Sequence, residues 1–296
     1  MPEPATRIDI SAWVQTVRAD RLAYRQRQAT EIILHAIAMA APLNDLLYLK
    51  GGVLMGLVYG SPRQTSDIDF SASSLFSAEE NTAENFRTLM DPALQHTAAK
   101  LGYVDLVVRT QSVRELPHNL YPDARFPALE LKVAYAERGS QQEKRFLAGE
   151  ASHTIRLDIS FNEEVGEVQV LDITDGESLL AYSLVDQIAE KYRAMLQQVS
   201  RNRSRRQDVY DLDILIQRPE LNDAAKVKIL ETLIKKCRSR DIFPAPSSMD
   251  HPEMKSRSKA EWDTLQLDLG EIPDFEPCFE RVAIFYRQLP WSDTEP

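Results

Sequence analysis

The first half of the chain alternates apolar and polar residues in the way that strands do. In the clearest run, Ile155–Phe161, every second side chain is apolar and Asp158 lies on the polar face. Further strands are predicted at Leu46–Leu49, Ser66–Ser71, Tyr103–Thr110, Leu129–Tyr135 and Val168–Ile173. Helical spacing predicts helices at Gln28–Ala41, Val53–Tyr59 and Ala78–Leu101, the last of which Asp91-Pro92 could interrupt.

The second half changes to helical spacing. Thr174-Asp-Gly-Glu177 has the form of a capping box and predicts a long helix that reaches about Gln198. Further helices are predicted at Asp208–Ile216, Ala224–Lys236, Lys259–Leu267 and Phe279–Leu289, with a Pro- and Ser-rich loop at Phe243–Ser256. We therefore expect an α/β (α+β) domain over residues 1–173 and a helical domain over residues 174–296.

Composition excludes several classes of protein. The 296 residues include two cysteines, Cys237 and Cys278, too few for a disulfide scaffold or a cysteine-based structural zinc site. Five scattered histidines form no HExxH motif, so a histidine-bound catalytic metal is not expected. The N-terminus does not resemble a signal peptide, and polar residues and Pro42 interrupt the most apolar stretch, Ile32–Leu49. We expect a soluble protein in the reducing cytoplasm, without a membrane partner.

Charge is unevenly distributed along the chain. The formal net charge is −10, but residues 191–260 hold 16 Lys and Arg against 9 Asp and Glu, which leaves +7 there and −17 elsewhere. Four of these basic residues lie in an arginine-rich connection between two predicted helices, at Arg201, Arg203, Arg205 and Arg206. Arginine forks match phosphate geometry, so these side chains are candidate RNA contacts, although a flexible charged loop would have the same composition.

Two aspartates provide the strongest chemical signal. Asp67 and Asp69 lie two residues apart in a predicted strand, so both carboxylates point to one face, about 7 Å apart along the chain. Like charges so close repel each other unless a cation neutralises them, and Mg²⁺ typically takes one or two carboxylates together with substrate phosphates. Asp158, on the polar face of its own strand, is a candidate third ligand of a two-metal site.

A glycine pair precedes these aspartates. Gly51 and Gly52 permit a tight turn with close backbone approach to a triphosphate, and the next helix would point its N-terminus at that anion. Each feature is common by itself. Their order and spacing favour phosphate and metal chemistry over a surface turn with two exposed charges.

The combined pattern K-G-G…R-x-T-x-D-I-D-F resembles the nucleotidyltransferase fingerprint of the DNA polymerase β superfamily and, more narrowly, the AbiEii/AbiGii toxin family that includes the MenT toxins. The resemblance continues through Glu190-Lys191-x-x-Ala194, the arginine-rich connection and Asp208-x-Tyr-Asp211-Leu. The predicted helix that contains Trp262 and the apolar helix predicted at Phe279–Leu289 also match the pattern of this family. The likeness spans most of the chain and is weak over residues 75–150.

The resemblance implies a nucleotidyltransferase core, a mixed β-sheet flanked by helices, followed by a helical domain. It implies Asp67 and Asp69 as metal ligands, with Mg²⁺ or Mn²⁺ as the metal, and Lys191 and Asp211 as catalytic residues. By the same resemblance, the nucleotide-binding residues are Lys50, Gly51, Gly52, Arg63 and Lys191. Val53 replaces a hydroxyl residue that the family often has after the glycines. Gln207 replaces the motif arginine, which leaves open whether Asp208 or Asp211 is the essential acid; the Tyr-Asp-Leu context favours Asp211.

The function implied is that of the toxin half of an AbiE-type (type IV-like) toxin–antitoxin pair. The enzyme would transfer nucleotides from an NTP to the 3′ end of tRNA and so block translation, with an antitoxin protein as a possible partner. Two alternatives stay open: a nucleotidyltransferase that modifies a small molecule or a protein hydroxyl, and a non-catalytic binding protein with this fold. The basic second half argues against a small acceptor, and the adjacent metal carboxylates argue against loss of catalysis.

Overall fold

The computed structural model describes residues 5–73, 77, 79–173 and 176–291. The chain divides into two compact units, each assembled from separate segments. The first unit comprises residues 1–58, 65–163 and 169–181, and the second comprises residues 59–64, 164–168 and 182–296. Both units are therefore discontinuous in sequence.

A mixed β-sheet forms the centre of the first unit. Within the described part of the chain it has eight strands, in the order β1-β7-β8-β2-β3-β6-β5-β4. The strands are β1 (Thr6–Arg7), β2 (Leu47–Lys50), β3 (Asp67–Ala72), β4 (Leu106–Leu116), β5 (Ala128–Glu137), β6 (Thr154–Ser160), β7 (Val168–Ile173) and β8 (Glu177–Tyr182). The helices of this unit are α1 (Ile10–Gln15), α2 (Arg21–Met39), α3 (Leu43–Leu46), α4 (Gly51–Val58), α5 (Ala83–Lys100) and α6 (Gln141–Leu147).

Strand alternation explains why the sheet has one apolar and one charged face at its centre. Over residues 67–70 of β3, 128–133 of β5 and 154–160 of β6, every second side chain is buried, among them Ile68, Phe70, Leu129, Leu131, Leu157 and Ile159. Parallel pairing joins β3 to β6, and antiparallel pairing joins β2 to β3 and β5 to β6. The mixed sheet predicted from the resemblance is confirmed.

Helix α5 differs from its prediction. It runs unbroken through Pro92, and the preceding Asp91 carboxylate accepts a hydrogen bond from the Thr110 backbone N–H at 2.8 Å. The helix starts at Ala83, where the hydroxyl of Thr82 caps it. The predicted start at Ala78 lies outside the described residues.

The predicted capping box before the long helix is wrong. Residues Glu177–Tyr182 form β8, which pairs in parallel with β2 and buries Leu179 and Ala181. Pairing in the sheet overrides the local helix signal, because it satisfies the backbone and buries the apolar side chains at once. The helix α7 (Leu184–Leu196) begins after Ser183, whose hydroxyl accepts from the Asp186 N–H. Thr174 and Asp175 lie outside the described residues.

The second unit is helical. Besides α7 it contains α8 (Arg206–Leu215), α9 (Asp223–Arg238), α10 (Pro252–Lys259), α11 (Gln266–Leu269) and α12 (Phe275–Arg287). The helix predicted over Lys259–Leu267 is wrong, because the chain turns at Glu261, where φ is +60°, and continues as a 3-10 turn at Trp262–Leu265. The predicted loop ends at Pro252, which starts α10.

Segment 164–168 is fixed to α7 and α9 by a buried aspartate. The Asp186 carboxylate accepts hydrogen bonds from the N–H groups of Gly166, at 3.1 Å, and Glu167. Lys236 on α9 forms an ion pair with Asp186 at 3.1 Å and donates to the Glu164 carbonyl. Because Asp186 is fully buried, these partners supply the hydrogen bonds that water cannot.

No helix within the described ranges is long and apolar enough to cross a bilayer.

Candidate active site

The end of β2 brings a lysine and a glycine turn beside the aspartate pair. Lys50 is the last residue of β2 and lies opposite Asp69 in the antiparallel ladder with β3. Helix α4 begins directly at Gly51, two residues earlier than predicted, with φ of +71° at that glycine. A Cβ atom on Gly51 would lie 2.2 Å from Asp69 Oδ2. Glycine is therefore required here both for its backbone angle and for the space next to the carboxylate.

Three carboxylates lie in one row across neighbouring strands. Asp69 on β3 is opposite Asp158 on β6, and Asp158 is opposite Glu130 on β5. Residues in register share a sheet face, so the row continues from Lys50 through the three acids. The sheet thus brings Asp69 and Asp158 together, as the polar face of β6 predicts.

Arg156 bridges two of the predicted metal-site aspartates. It lies opposite Asp67, and its Nη2 is 2.7 Å from Asp67 Oδ2. Its Nε is 3.1 Å from Asp158 Oδ2. Burial disfavours the charged guanidinium, but the surrounding carboxylates outweigh it and raise the pKa of Arg156. This arginine partly neutralises the acidic face.

The acidic face still carries excess negative charge. Burial raises the pKa of Asp158 to about 6, and Asp69, Asp67 and Glu130 add to the rise while Arg156 opposes it. Ionisation of every carboxylate on this face therefore raises the electrostatic free energy unless a further cation binds. The face is electrostatically suited to binding a positive ion.

The second unit contains a separate, buried charge cluster. Lys191 on α7 donates from Nζ to Asp211 Oδ2 at 2.6 Å and to Asp208 Oδ1 at 3.3 Å. Arg63, in segment 59–64, donates from Nη2 and Nε to the two oxygens of Asp211, at 3.1 Å and 3.4 Å. Asp211 is completely buried, and Lys191 is only 6% exposed. Four residues named from the sequence thus meet in one cluster.

These charges hold one another ionised. Burial raises the pKa of Asp211, but Lys191 and Arg63 outweigh it and keep that pKa below its usual range. Burial lowers the pKa of Lys191, and Asp211 and Asp208 reverse the effect to give a raised pKa. Lys191 is therefore a fixed cation at neutral pH. Asp211, with both oxygens bound by cations, is placed to orient Lys191 and Arg63.

A family comparison decides the identity of the chain. The model of the nucleotidyl transferase AbiEii toxins of type IV toxin–antitoxin systems matches residues 32–282. The chain belongs to the AbiEii nucleotidyl transferase toxin family. The family predicted from the K-G-G…D-I-D-F pattern and the residues around Lys191 and Asp211 is confirmed, as is the nucleotidyltransferase class of enzyme. Membership implies an NTP substrate and a cognate antitoxin.

Solved structures show the same fold at low sequence identity. MenT4, a nucleotidyltransferase toxin from Mycobacterium tuberculosis H37Rv, is 14% identical with a TM-score of 0.51, covering 94% of this chain and 99% of its own. A presumed nucleotidyltransferase from H. pylori is 15% identical with a TM-score of 0.50, covering 91% of this chain and 95% of its own. A comparison with individually curated sequences gives no match.

The donor set of this AbiEii protein fits the metal that nucleotidyltransferases typically use. Asp67 and Asp69 offer hard carboxylate oxygens on one sheet face, beside excess negative charge. Within the described ranges, no three His, Cys, Asp or Glu side chains converge closely enough to hold a metal ion. The aspartate pair suits a metal completed by substrate phosphates, and Asp158 as a third ligand stays a prediction.

The arginine-rich connection of this AbiEii protein is only partly neutralised. Arg206 forms an ion pair with Glu261 at 3.1 Å, and Arg205 forms one with Asp208 at 3.6 Å. Among the residues that the structure describes, neither Arg201 nor Arg203 forms an ion pair with a carboxylate. Of the four predicted RNA contacts, Arg201 and Arg203 thus keep the most available charge.

Sequence reasoning missed two residues of the acidic face. Glu130 lies between Leu129 and Leu131, and Arg156 lies between Ile155 and Leu157. Both follow the alternation that identified Asp158, so the signal was present in each strand. Their contact with the aspartates depends on pairing register, which neither strand shows by itself.

Alanine at Gly51 should abolish nucleotide transfer. The added Cβ would collide with the Asp69 carboxylate and displace it from the sheet face. Gly139→Ala is the matched control, because Gly139 has φ of +74° and no atom within 4 Å of an added Cβ. Each variant should lose about 1–2 kcal/mol of stability from the left-handed backbone. Initial transfer rates and thermal melts of both variants check this, and equal activities would show that the Gly51–Asp69 approach is unimportant.

Proposed function

We propose that this AbiEii protein transfers nucleotides from an NTP to RNA, with the 3′ end of tRNA as acceptor, and that this modification blocks translation in the cytoplasm. The observation that carries the proposal is the aspartate pair on one sheet face, with Asp69 directly beside Gly51 at the start of α4. A protein that only bound nucleotides would gain nothing from two adjacent carboxylates, which repel phosphate without a metal.

The residues of the first unit have different proposed roles in metal and triphosphate binding. Asp67 and Asp69 would hold Mg²⁺ or Mn²⁺, which supplies charge neutralisation and Lewis-acid polarisation at the α-phosphate. Gly51 lets the backbone approach the triphosphate, whose negative charge the N-terminus of α4 favours. Lys50 adds a positive charge at the same turn. Arg156 offsets the remaining acidic charge through Asp67 and Asp158.

The reaction is a displacement at phosphorus. An acceptor hydroxyl oxygen forms a bond to the α-phosphorus, the bond between the α-phosphorus and its bridging oxygen to the β-phosphate breaks, and pyrophosphate leaves. The hydroxyl proton is released to solvent. We propose Lys191 and Arg63 as cations that contact nucleotide phosphates, oriented by Asp211.

RNA is favoured as acceptor by the distribution of charge. Residues 191–260 carry a net charge of +7 in a chain whose overall net charge is −10. A small acceptor needs no extended positive surface, whereas an RNA backbone gains affinity from each neutralised phosphate.

A labelling experiment tests the proposed function directly. The purified protein is incubated with each radiolabelled NTP, Mg²⁺ and total tRNA, and the products are separated on a denaturing gel. We expect label in tRNA from at least one NTP, loss of label with EDTA, and arrest of in vitro translation by the treated tRNA. Label in protein bands or in small products would favour the other acceptors, and no transfer to any acceptor would favour a binding protein.

A further inference from the structure

Arg156 binds an oxygen that a metal ion on Asp67 would also use. Its Nη2 donates to Asp67 Oδ2 at 2.7 Å, across the paired strands β3 and β6. The other carboxylate oxygen, Asp67 Oδ1, accepts a hydrogen bond from the Ser66 hydroxyl at 3.2 Å. Both oxygens of Asp67 therefore have partners. A metal ion at Oδ2 would lie next to the guanidinium, and two cations that close repel each other.

The same guanidinium binds Asp158, the candidate third ligand. Its Nε lies 3.1 Å from Asp158 Oδ2, two residues further along β6. Within the part of the chain that the structure describes, the ion pairs of Arg156 go only to Asp67 and Asp158. Arg156 therefore loses both of its ion-pair partners if a metal ion takes these two carboxylates.

The surroundings of Arg156 favour its movement toward an anion. Lys132 on β5 lies opposite Arg156, on the side away from Asp67. Like charges that face each other across neighbouring strands repel, so this side offers Arg156 no replacement for the aspartate. The Arg156 side chain is 44% exposed, and its guanidinium can turn into solvent without disturbing the core. An anion above the sheet face is a partner that both cations could contact.

We propose that Arg156 exchanges partners when the substrate binds: it leaves Asp67 to the metal ion and donates instead to the triphosphate of the NTP. The proposal rests on the proposed function and assigns one more residue to substrate contact. Before the exchange, the guanidinium holds Asp67 and Asp158 together. After it, the planar fork of the guanidinium binds phosphate oxygens. Metal and nucleotide binding are thereby coupled, because the triphosphate replaces the partners that the metal removes from Arg156.

A static ion pair between two strands is the competing explanation. In that role Arg156 stays on Asp67 whatever binds to the face, so its NMR signals do not respond to ligands. Its removal would then affect the melting temperature alone. The exchange instead requires that Arg156 oppose the binding of metal alone and that its guanidinium change its environment.

Mn²⁺ binding, followed by the EPR signal of the free ion, tests the competition without any transfer reaction. The full-length protein is titrated at pH 8 without nucleotide. We expect Arg156→Gln to bind Mn²⁺ about five- to tenfold more tightly than the wild type, because no guanidinium competes for Asp67. Arg114→Gln is the matched control, since Arg114 pairs with Glu130 on the same sheet face at 3.7 Å. It should change the affinity by less than about twofold, because solvent screens the more distant charge.

NMR spectra of the arginine Nε–H groups follow the exchange itself. The signal that is missing from Arg156→Lys identifies Arg156 in the wild-type spectrum. We expect this signal to shift when Mg²⁺ is added, because the hydrogen bond from Nε to Asp158 is lost. It should shift again with inorganic triphosphate, a probe that carries the phosphates of the substrate and no base.

Two results would overturn the exchange. These are equal Mn²⁺ affinities of wild type and Arg156→Gln, and an Arg156 signal that stays in place with saturating Mg²⁺ and triphosphate. The NMR measurement uses the wild-type protein, so it decides even if Arg156→Gln fails to fold. A wild-type protein that binds no Mn²⁺ would remove the metal site and the exchange together. An exchange without transfer to tRNA would keep the assignment of Arg156 and reject tRNA as the acceptor.

Discussion

Asn at position 69 should reduce nucleotide transfer by at least about a hundredfold while the protein stays folded. Asp69 lies at the end of the acidic row, between Lys50 and Asp158 and beside Gly51. Loss of a metal ligand removes several kcal/mol of transition-state stabilisation, and each 1.36 kcal/mol corresponds to a factor of ten in rate. Initial rates with saturating NTP and Mg²⁺ check the expectation.

The folded state should tolerate this change, because one fewer carboxylate relieves repulsion on the sheet face. Mg²⁺ with NTP should raise the melting temperature of the wild-type protein and should raise that of Asp69→Asn less, since a ligand stabilises the form that it binds. Asp172→Asn on β7 is the control for an isosteric change elsewhere in the same sheet, and it should leave transfer unchanged. Wild-type activity in Asp69→Asn would remove Asp69 from the active site.

Asp211→Asn should cost about 3 kcal/mol or more in the free energy of unfolding. The carboxylate is fully buried and bound by Lys191 and Arg63, so its loss leaves two buried cations with too little compensating charge. Urea unfolding at pH 7 measures the difference. Asp250→Asn is the control, because its ion pair with Arg287 is exposed and should be worth at most about 1 kcal/mol.

The same substitution has a predictable pH dependence. The folded-state pKa of Asp211 lies below its unfolded value, so its contribution to stability is present above about pH 4 and is lost as the pH falls further. The stability difference between wild type and Asp211→Asn should therefore shrink in acid. An equal difference at pH 7 and at pH 3 would show that the ion pairs of Asp211 do not stabilise the fold.

The sequence is informative where chemistry and local pattern coincide. Asp67 and Asp69 could be singled out because both lie in one strand, so their shared face follows without knowing which strands pair with it. The polar face of β6 singles out Asp158 in the same way. Arg156 escapes that reasoning, because its contact with Asp67 depends on the register between β3 and β6. Arg63 and Asp211 are 148 residues apart in sequence, and no periodicity links them.

The failures have a common physical cause. Residues 177–182 have a helix-start signal, yet they form β8, because a place beside β2 satisfies their backbone and buries Leu179 and Ala181. The helix predicted over Lys259–Leu267 fails at Glu261, where φ is +60°, and the following Trp262 is buried against Phe275. In each case the deciding interaction is long-range.

The second unit is built from three separate chain segments, which limits the fragments of this protein that can fold by themselves. A polypeptide of residues 182–296 would contain every helix from α7 to α12 but neither short segment, 59–64 or 164–168. Asp211 would lose Arg63, and Asp186 would lose the two backbone N–H groups of Gly166 and Glu167. A buried carboxylate that loses its hydrogen-bond donors raises the free energy of the folded state. The helical part therefore depends on segments 59–64 and 164–168, which precede it in the chain. Expression of residues 182–296 by themselves is therefore a poor route to a folded helical unit, whereas a fragment that also keeps residues 59–64 and 164–168 retains these donors.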